Sequence, residues 1–152
     1  MPMLELSYTR GAMTPAQIQT LLHRATKVLM WWEKIPDTPE ARKIAWTLAV
    51  ERPAEHMLVG GLPTVRPRYR FDVSTIEGLM DDRAKQGVMR DLTRLTLEIE
   101  GAPRDAANAA RVWCLLRELP RNSWGIAGVP FAPSGYLSAL DEIHFEGDKP
   151  IE

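Results

Sequence analysis

The chain matches itself. Pro53 and Pro120 stand 67 residues apart, and at the same offset Gly11 meets Gly78, Met13 meets Met80, Gln19 meets Gln86, Thr26 meets Thr93, Glu33 meets Glu100 and Pro36 meets Pro103. Further along, Trp46 meets Trp113, Leu48 meets Leu115, Glu51 meets Glu118 and Gly61 meets Gly128, with no gap needed. Matches that fall together on glycine, proline and tryptophan at one register mark an internal repeat. A repeat constrains the fold strongly, because each unit must run through the same elements. We read two units, 2–66 and 69–132, followed by a tail, 133–152. Together they form a single domain over 1–152, a length that suits one hydrophobic core.

Within the first unit, "MLELSYT" (3–9) alternates apolar and polar residues as a half-buried strand does. Gly11 breaks it. Thr14 and Pro15 then supply an N-cap and a first helical residue. Ile18, Leu21, Leu22, Ala25, Val28, Leu29 and Trp32 recur at helical spacing, and Pro36 and Pro39 stop the run. "IAWTLAV" (44–50) is dense enough in apolar residues to predict a central strand. The second unit repeats this order. Its strand is "YRFDVST" (69–75), its helix is capped by Asp81 with Val88, Leu92, Leu95 and Ile99 on one face, and its closing strand is "VWCLLREL" (112–119). Gly87 sits inside that helix, where it costs about 1 kcal/mol against alanine.

Each unit is thus β-α-β, a crossover that joins parallel strands. The fold class is α+β: two tandem units make a four-stranded sheet with two helices on one face. The other face carries Trp46, Leu48, Trp113 and Leu115 and needs a cover, which further copies of the chain would provide.

Composition excludes several functions. The net charge is −1, so there is no basic excess to suggest nucleic acid. Cys114 is the only cysteine, and His23, His56 and His144 lack ligand spacing, so we expect no metal site. There is no secretory leader and no bilayer-length apolar stretch, which predicts a cytoplasmic protein without membrane association.

Three stretches carry a resemblance. "MPMLELSYTRGAMTP" places a proline directly after the initiator methionine and ahead of a strand. "ELPRNSWGIAG" (118–128) resembles the end of a 4-oxalocrotonate tautomerase unit, and "ERPAEHMLVGG" (51–61) the corresponding stretch of cis-3-chloroacrylic acid dehalogenase, a fused two-unit protein. Over 2–128 the chain therefore resembles the tautomerase superfamily. The resemblance implies a homotrimer of fused chains, with sheets inside, helices outside and the two hairpin-like turns clasping neighbouring subunits. It also implies a catalytic amino-terminal proline and a small carboxylic acid as substrate, with no cofactor.

Once Met1 is removed, Pro2 carries a secondary amine. An α-amino group titrates near ~8 and burial lowers that value, so the amine can serve as a general base or acid near neutral pH. Alone, a second-position proline is an ordinary chain start; the resemblance makes it a candidate catalyst. The equivalent position in the second unit is Tyr69, inside the chain, so one site per chain is expected. By the same resemblance Trp113, Leu115 and Arg117 face the region of the proline, and Trp124 stands where the tautomerase hairpin has an aromatic. Arg117 is the candidate carboxylate partner because its fork matches a carboxylate. Its alternative is a solvated arginine at a strand end. Trp113 and Trp124 have packing as theirs. Arg10, Arg68 and Arg70 are further cations within reach of loops or strand starts.

The departures are specific. Ala12 and Leu79 replace the tautomerase arginine after the turn glycine, and Trp46 and Trp113 replace the sheet arginine. The dehalogenase arginines align with Ile76 and Leu79, its water-activating glutamate with Ile126 and its tyrosine with Leu115. The reading is a cofactor-independent keto–enol tautomerase, an isomerase of small 2-oxo acids with apolar or aromatic side chains. The alternatives are a hydratase, dehalogenase or decarboxylase of small unsaturated or 3-oxo acids, or a non-catalytic trimer. Glu51 and Glu118 read as structural, and His56 as a turn or interface residue.

Overall fold

The computed structural model describes residues 3–126 and 128–130. Pro2 and the tail lie outside the described residues. The elements run β1 (Met3–Thr9), α1 (Pro15–Trp32), α2 (Pro39–Arg42), β2 (Trp46–Arg52), a 3-10 turn (Ala54–His56), β3 (Leu58–Val59), β4 (Leu62–Pro63), β5 (Tyr69–Ile76), α3 (Asp82–Glu100), α4 (Ala106–Ala109), β6 (Val112–Leu119), β7 (Gly125–Ile126) and β8 (Val129–Pro130).

Both long helices start where their caps dictate. The Thr14 hydroxyl accepts from the Gln17 amide, and the Gln17 side chain accepts from the Thr14 amide at 2.9 Å, a reciprocal capping box. Asp81 accepts from the Ala84 amide at 2.7 Å. Each cap contributes about 1 kcal/mol. Pro39 does not merely stop a helix. With Thr38 as N-cap it opens the short α2, while α1 has already ended at Trp32.

Four strands form one sheet in the order β2-β1-β5-β6. β1 and β2 run parallel, as do β5 and β6, and the central pair β1 and β5 is antiparallel. The expected central strand at 44–50 is therefore corrected: β2 is Trp46–Arg52 and lies at an edge. Its apolar side chains are not covered by this chain's own second layer, since Trp46 is 64% exposed. Apolar density alone does not distinguish a strand buried on both faces from one presenting apolar residues outward.

Leu4, Leu6, Phe71 and Val73 point from the central strands toward the helices and pack against Ile18, Leu21, Ala25, Leu29, Val88, Leu92 and Leu95 in one core. Gly87 has its explanation there. A Cβ at that position would overlap the Trp32 indole, which lies on α3 and donates to Asp91 at 3.0 Å. The opposite sheet face is open and presents Trp46, Leu48, Trp113 and Leu115. The hairpin β3-β4 turns through Gly60 and Gly61, both with positive φ, as a tight two-residue connection requires.

Candidate active site

β1 begins in the middle of the sheet. Met3 lies beside Trp46 on one side and Ser74 on the other. Thr75, the next residue along β5, points to the helix side and is fully buried. Its hydroxyl donates to Glu33 Oε1 at 2.6 Å. Glu33 caps the end of α1 and is only 8% exposed. Burial pushes its carboxyl above the ordinary carboxylate range, opposed by the Thr75 hydrogen bond. Close by, Ile76 gathers Ile44, Leu79, Leu119, Trp124 and Ile126 into a second apolar cluster. A cavity of about 600 Å3 opens between the end of α1 and the start of α3, lined by Trp31, Trp32, Lys34, Ile35, Asp81 and Arg83 among others.

The residues singled out from the sequence divide between the two ends of the sheet. Arg117 pairs with Ser74, which pairs with Met3, so it shares a row with the start of β1. It lies two strands away, about 10 Å at ordinary strand spacing. It is 58% exposed on the open face, where its guanidinium donates to Asp72 at 3.0 Å. Arg70 grips the same carboxylate at 2.8 and 3.0 Å. Trp124 belongs to the apolar cluster near the start of β1. Leu115 pairs with Asp72 at mid-strand, whereas Trp113 pairs with Arg70, opposite Ser7 near the far end of β1. Within one protomer, then, Arg117 and Trp124 lie at the end where β1 begins, and Trp113, 67% exposed, does not. Arg10 donates to Glu51, and Arg68 to the Thr64 hydroxyl; both belong to the far end as well. Glu118 accepts from Lys85 at 2.8 Å and from the Gly78 amide, so it ties the turn before α3 to β6.

The far end holds a constellation the sequence reading missed. Tyr69 opens β5, as residue 2 precedes β1, and its hydroxyl donates to Glu100 at 3.0 Å. Arg111, 3% exposed, donates to both Glu100 oxygens, to the Pro67 carbonyl and to Asn108. Burial first, and the Glu100 charge second, push the Tyr69 phenol far above its ordinary value. A cavity of about 340 Å3 lies beside it, walled by the 56–59 turn, Arg68, Arg70 and Trp113. The signal that could have found this cluster is the repeated glutamate itself. Glu33 and Glu100 sit at helix C-termini, the negative pole, where an anion is unfavourable unless a cation answers it.

Among the described residues no group of three or more His, Cys, Asp or Glu is arranged to hold a metal ion, and no helix is long and apolar enough to cross a membrane.

No family model matches the chain, and no curated protein matches it by sequence. Solved structures do match it in fold. A structure of Pt0534 inactivated by 2-oxo-3-pentynoate is 22% identical and superposes with a TM-score of 0.71, covering 84% of this chain and 95% of that one. The F6 fused 4-OT wild-type asymmetric trimer is 20% identical with a TM-score of 0.69, covering 91% and 98%. N1, a member of the cis-3-chloroacrylic acid dehalogenase family, is 12% identical with a TM-score of 0.73, covering 93% and 92%. The chain has the tautomerase-superfamily fold, in the form seen in fused 4-OT structures.

Proposed function

We propose that the chain is a tautomerase-superfamily enzyme built of two pseudo-repeats, 2–66 and 69–132, and that the amine of Pro2 is its proton-transfer group. The substrate we assign is a small 2-oxo acid with an apolar or aromatic side chain, interconverted between keto and enol forms in the cytoplasm without a cofactor. The observation that carries this reading is the position of β1. It is a central strand, and its first described residue, Met3, pairs with Ser74, the neighbour of Thr75 in the buried Glu33–Thr75 pair and two residues from Ile76 of the apolar cluster. The amine would take a proton from the carbon next to the carbonyl, or from the enol, and return it at the other atom. Arg117 or a neighbouring cation would receive the carboxylate, with Leu115, Trp113 and Trp124 as apolar walls. Support for the substrate class comes from the fold neighbour inactivated by 2-oxo-3-pentynoate, itself a 2-oxo acid.

A homotrimer is part of the proposal. The open face of Trp46, Leu48, Trp113 and Leu115 needs a cover, and similar fused 4-OT structures are trimers. In an assembly, Trp113 of one protomer could reach the Pro2 end of another, which a single chain does not allow.

The test is Pro2→Ala, assayed with the enol of an aryl 2-oxo acid by ultraviolet absorbance. Loss of at least about 100-fold in kcat/KM is expected, the scale of a removed general base. Full activity in the variant would refute the assignment of Pro2.

A further inference from the structure

The cavity of about 340 Å3 at the Tyr69 end is lined on one side by groups that are already satisfied. The Tyr69 phenol proton goes to Glu100, and both Nη groups of Arg111 are spent on Glu100, Pro67 and Asn108. Arg111 and Glu100 cancel in charge. What is left over is a donor: the buried Nε of Arg111 has no acceptor among the described residues.

Two more arginines line this cavity, and they differ. Arg70 is committed to Asp72, which Arg117 also grips, and Glu5 is a further acid acting on Arg70. Arg68 is half-buried and is paired with no carboxylate among the described residues. Its amide donates to the Thr9 hydroxyl at 2.9 Å and its carbonyl accepts from the Thr9 amide at 3.1 Å, so its backbone is pinned to the end of β1. Its Nε donates to the Thr64 hydroxyl at 3.2 Å, which fixes one edge of the guanidinium. The Nη edge keeps a planar pair of donors for an incoming anion.

The remaining wall is apolar. Met57, Leu58 and Val59 come from the turn and β3, and Trp113 from β6; Leu58, Val59 and Trp113 are exposed. Thr64 ties this wall to the cation. Its amide donates to the Met57 carbonyl at 3.2 Å, while its hydroxyl accepts from Arg68.

We propose that this cavity is a second ligand site, one that binds a small carboxylic acid with an aromatic or apolar body and does not turn it over. The carboxylate lies on the Nη edge of Arg68, and the body lies on Met57, Leu58 and Trp113. An apolar pocket with a few placed polar groups is what a small organic ligand occupies, and this one is at the small end of that range. An inorganic anion would leave the apolar wall unused. The second unit opens on Tyr69, inside the chain, so no free amine stands here, and the phenol proton is held by Glu100.

The probe is phenylacetate, which has the carboxylate and the ring but no 2-oxo group to react. Phenylacetamide is the uncharged control. Protein carrying 13C at the methionine methyls is titrated with each by NMR. Met57 reports on this cavity and Met3 on the start of β1, their resonances identified by loss in Met57→Leu and Met3→Leu. Phenylacetate should shift the Met57 methyl saturably, and phenylacetamide should leave it in place. Arg68→Gln should raise the dissociation constant at least about tenfold, the scale of one lost charge-assisted contact. If that variant does not fold, the comparison of acid with amide in the wild type decides. The proposal is overturned by an unmoved Met57 methyl, by a shift at Met3 alone, by equal binding of the amide, or by an unchanged constant in folded Arg68→Gln. No catalysis enters this titration, so its outcome is independent of whether Pro2→Ala abolishes activity.

Discussion

Glu33 caps α1 and Glu100 ends α3, each at the same place in its β-α-β unit, yet their surroundings differ. Glu100 is locked by a buried arginine, a tyrosine hydroxyl and, through that arginine, the loop before β5. Glu33 accepts from a threonine, and the residue in Arg111's place is Ile44. A charge pair surrounded by protein is a rigid, committed structure. A buried carboxylate that accepts from a threonine hydroxyl, its pKa raised by burial, is one whose charge can change with pH. The difference teaches how a repeat can diverge: one end of the sheet is turned into a structural clamp, while the other keeps room for a titrating group.

The largest effect should come from making the ends alike. Arg111→Ile copies the first unit into the second and strands Glu100 in a buried position. Urea unfolding should show a loss of about 3–5 kcal/mol, the usual consequence of breaking a buried pair on one side. Adding Glu100→Leu should recover most of it, because an apolar pair of similar volume is often as stable as the ion pair it replaces. A smaller effect is expected from Tyr69→Phe, which removes one hydroxyl donor from a charged acceptor, about 1.5–3 kcal/mol in the same assay. Equal losses for Arg111→Ile and Tyr69→Phe would mean that the guanidinium is not the principal clamp.

The smallest and most specific effect concerns pH. Burial raises the Glu33 carboxyl above its ordinary value of 4.5. The folded chain thus holds this proton more tightly than the unfolded chain does. The stabilising contribution is complete below about 4.5 and is lost as pH rises through the folded pKa. Glu33→Gln does not ionise. In thermal melts across this window, wild type should lose stability relative to the variant as pH rises; parallel curves would place Glu33 in a more solvated setting.

Much of the fold was legible. The capping residues Thr14 and Asp81, the alternation in 3–9 and 69–75 and the gap-free repeat were enough to place both long helices and all four sheet strands within a few residues. The strand order was not, because a β-α-β pattern fixes which strands are parallel within a unit but says nothing about how two units join. Hence β2 was expected at the centre and stands at an edge. The short α2 and α4 were missed although Thr38 and Asp105 cap them, since proline and alanine runs of that length carry no periodicity. Gly87 read as a weakness in its helix, and only the Trp32 indole against it gives the reason. Of the candidate site, the row holding Arg117 could be named, but its ion pair with Asp72 depends on a strand two neighbours from β1. The partners of the two glutamates were invisible for the same reason: Thr75 and Arg111 meet them only after the sheet is assembled.

The central claim is that the two ends have separate roles, a reactive amine at one and a structural pair at the other. The most direct measurement is intact-mass and peptide analysis of protein beginning at Pro2 after incubation with 2-oxo-3-pentynoate. The account predicts one adduct per chain, on Pro2, and none in the peptide that holds Tyr69. An unmodified chain, or an adduct at the Tyr69 end, would contradict it.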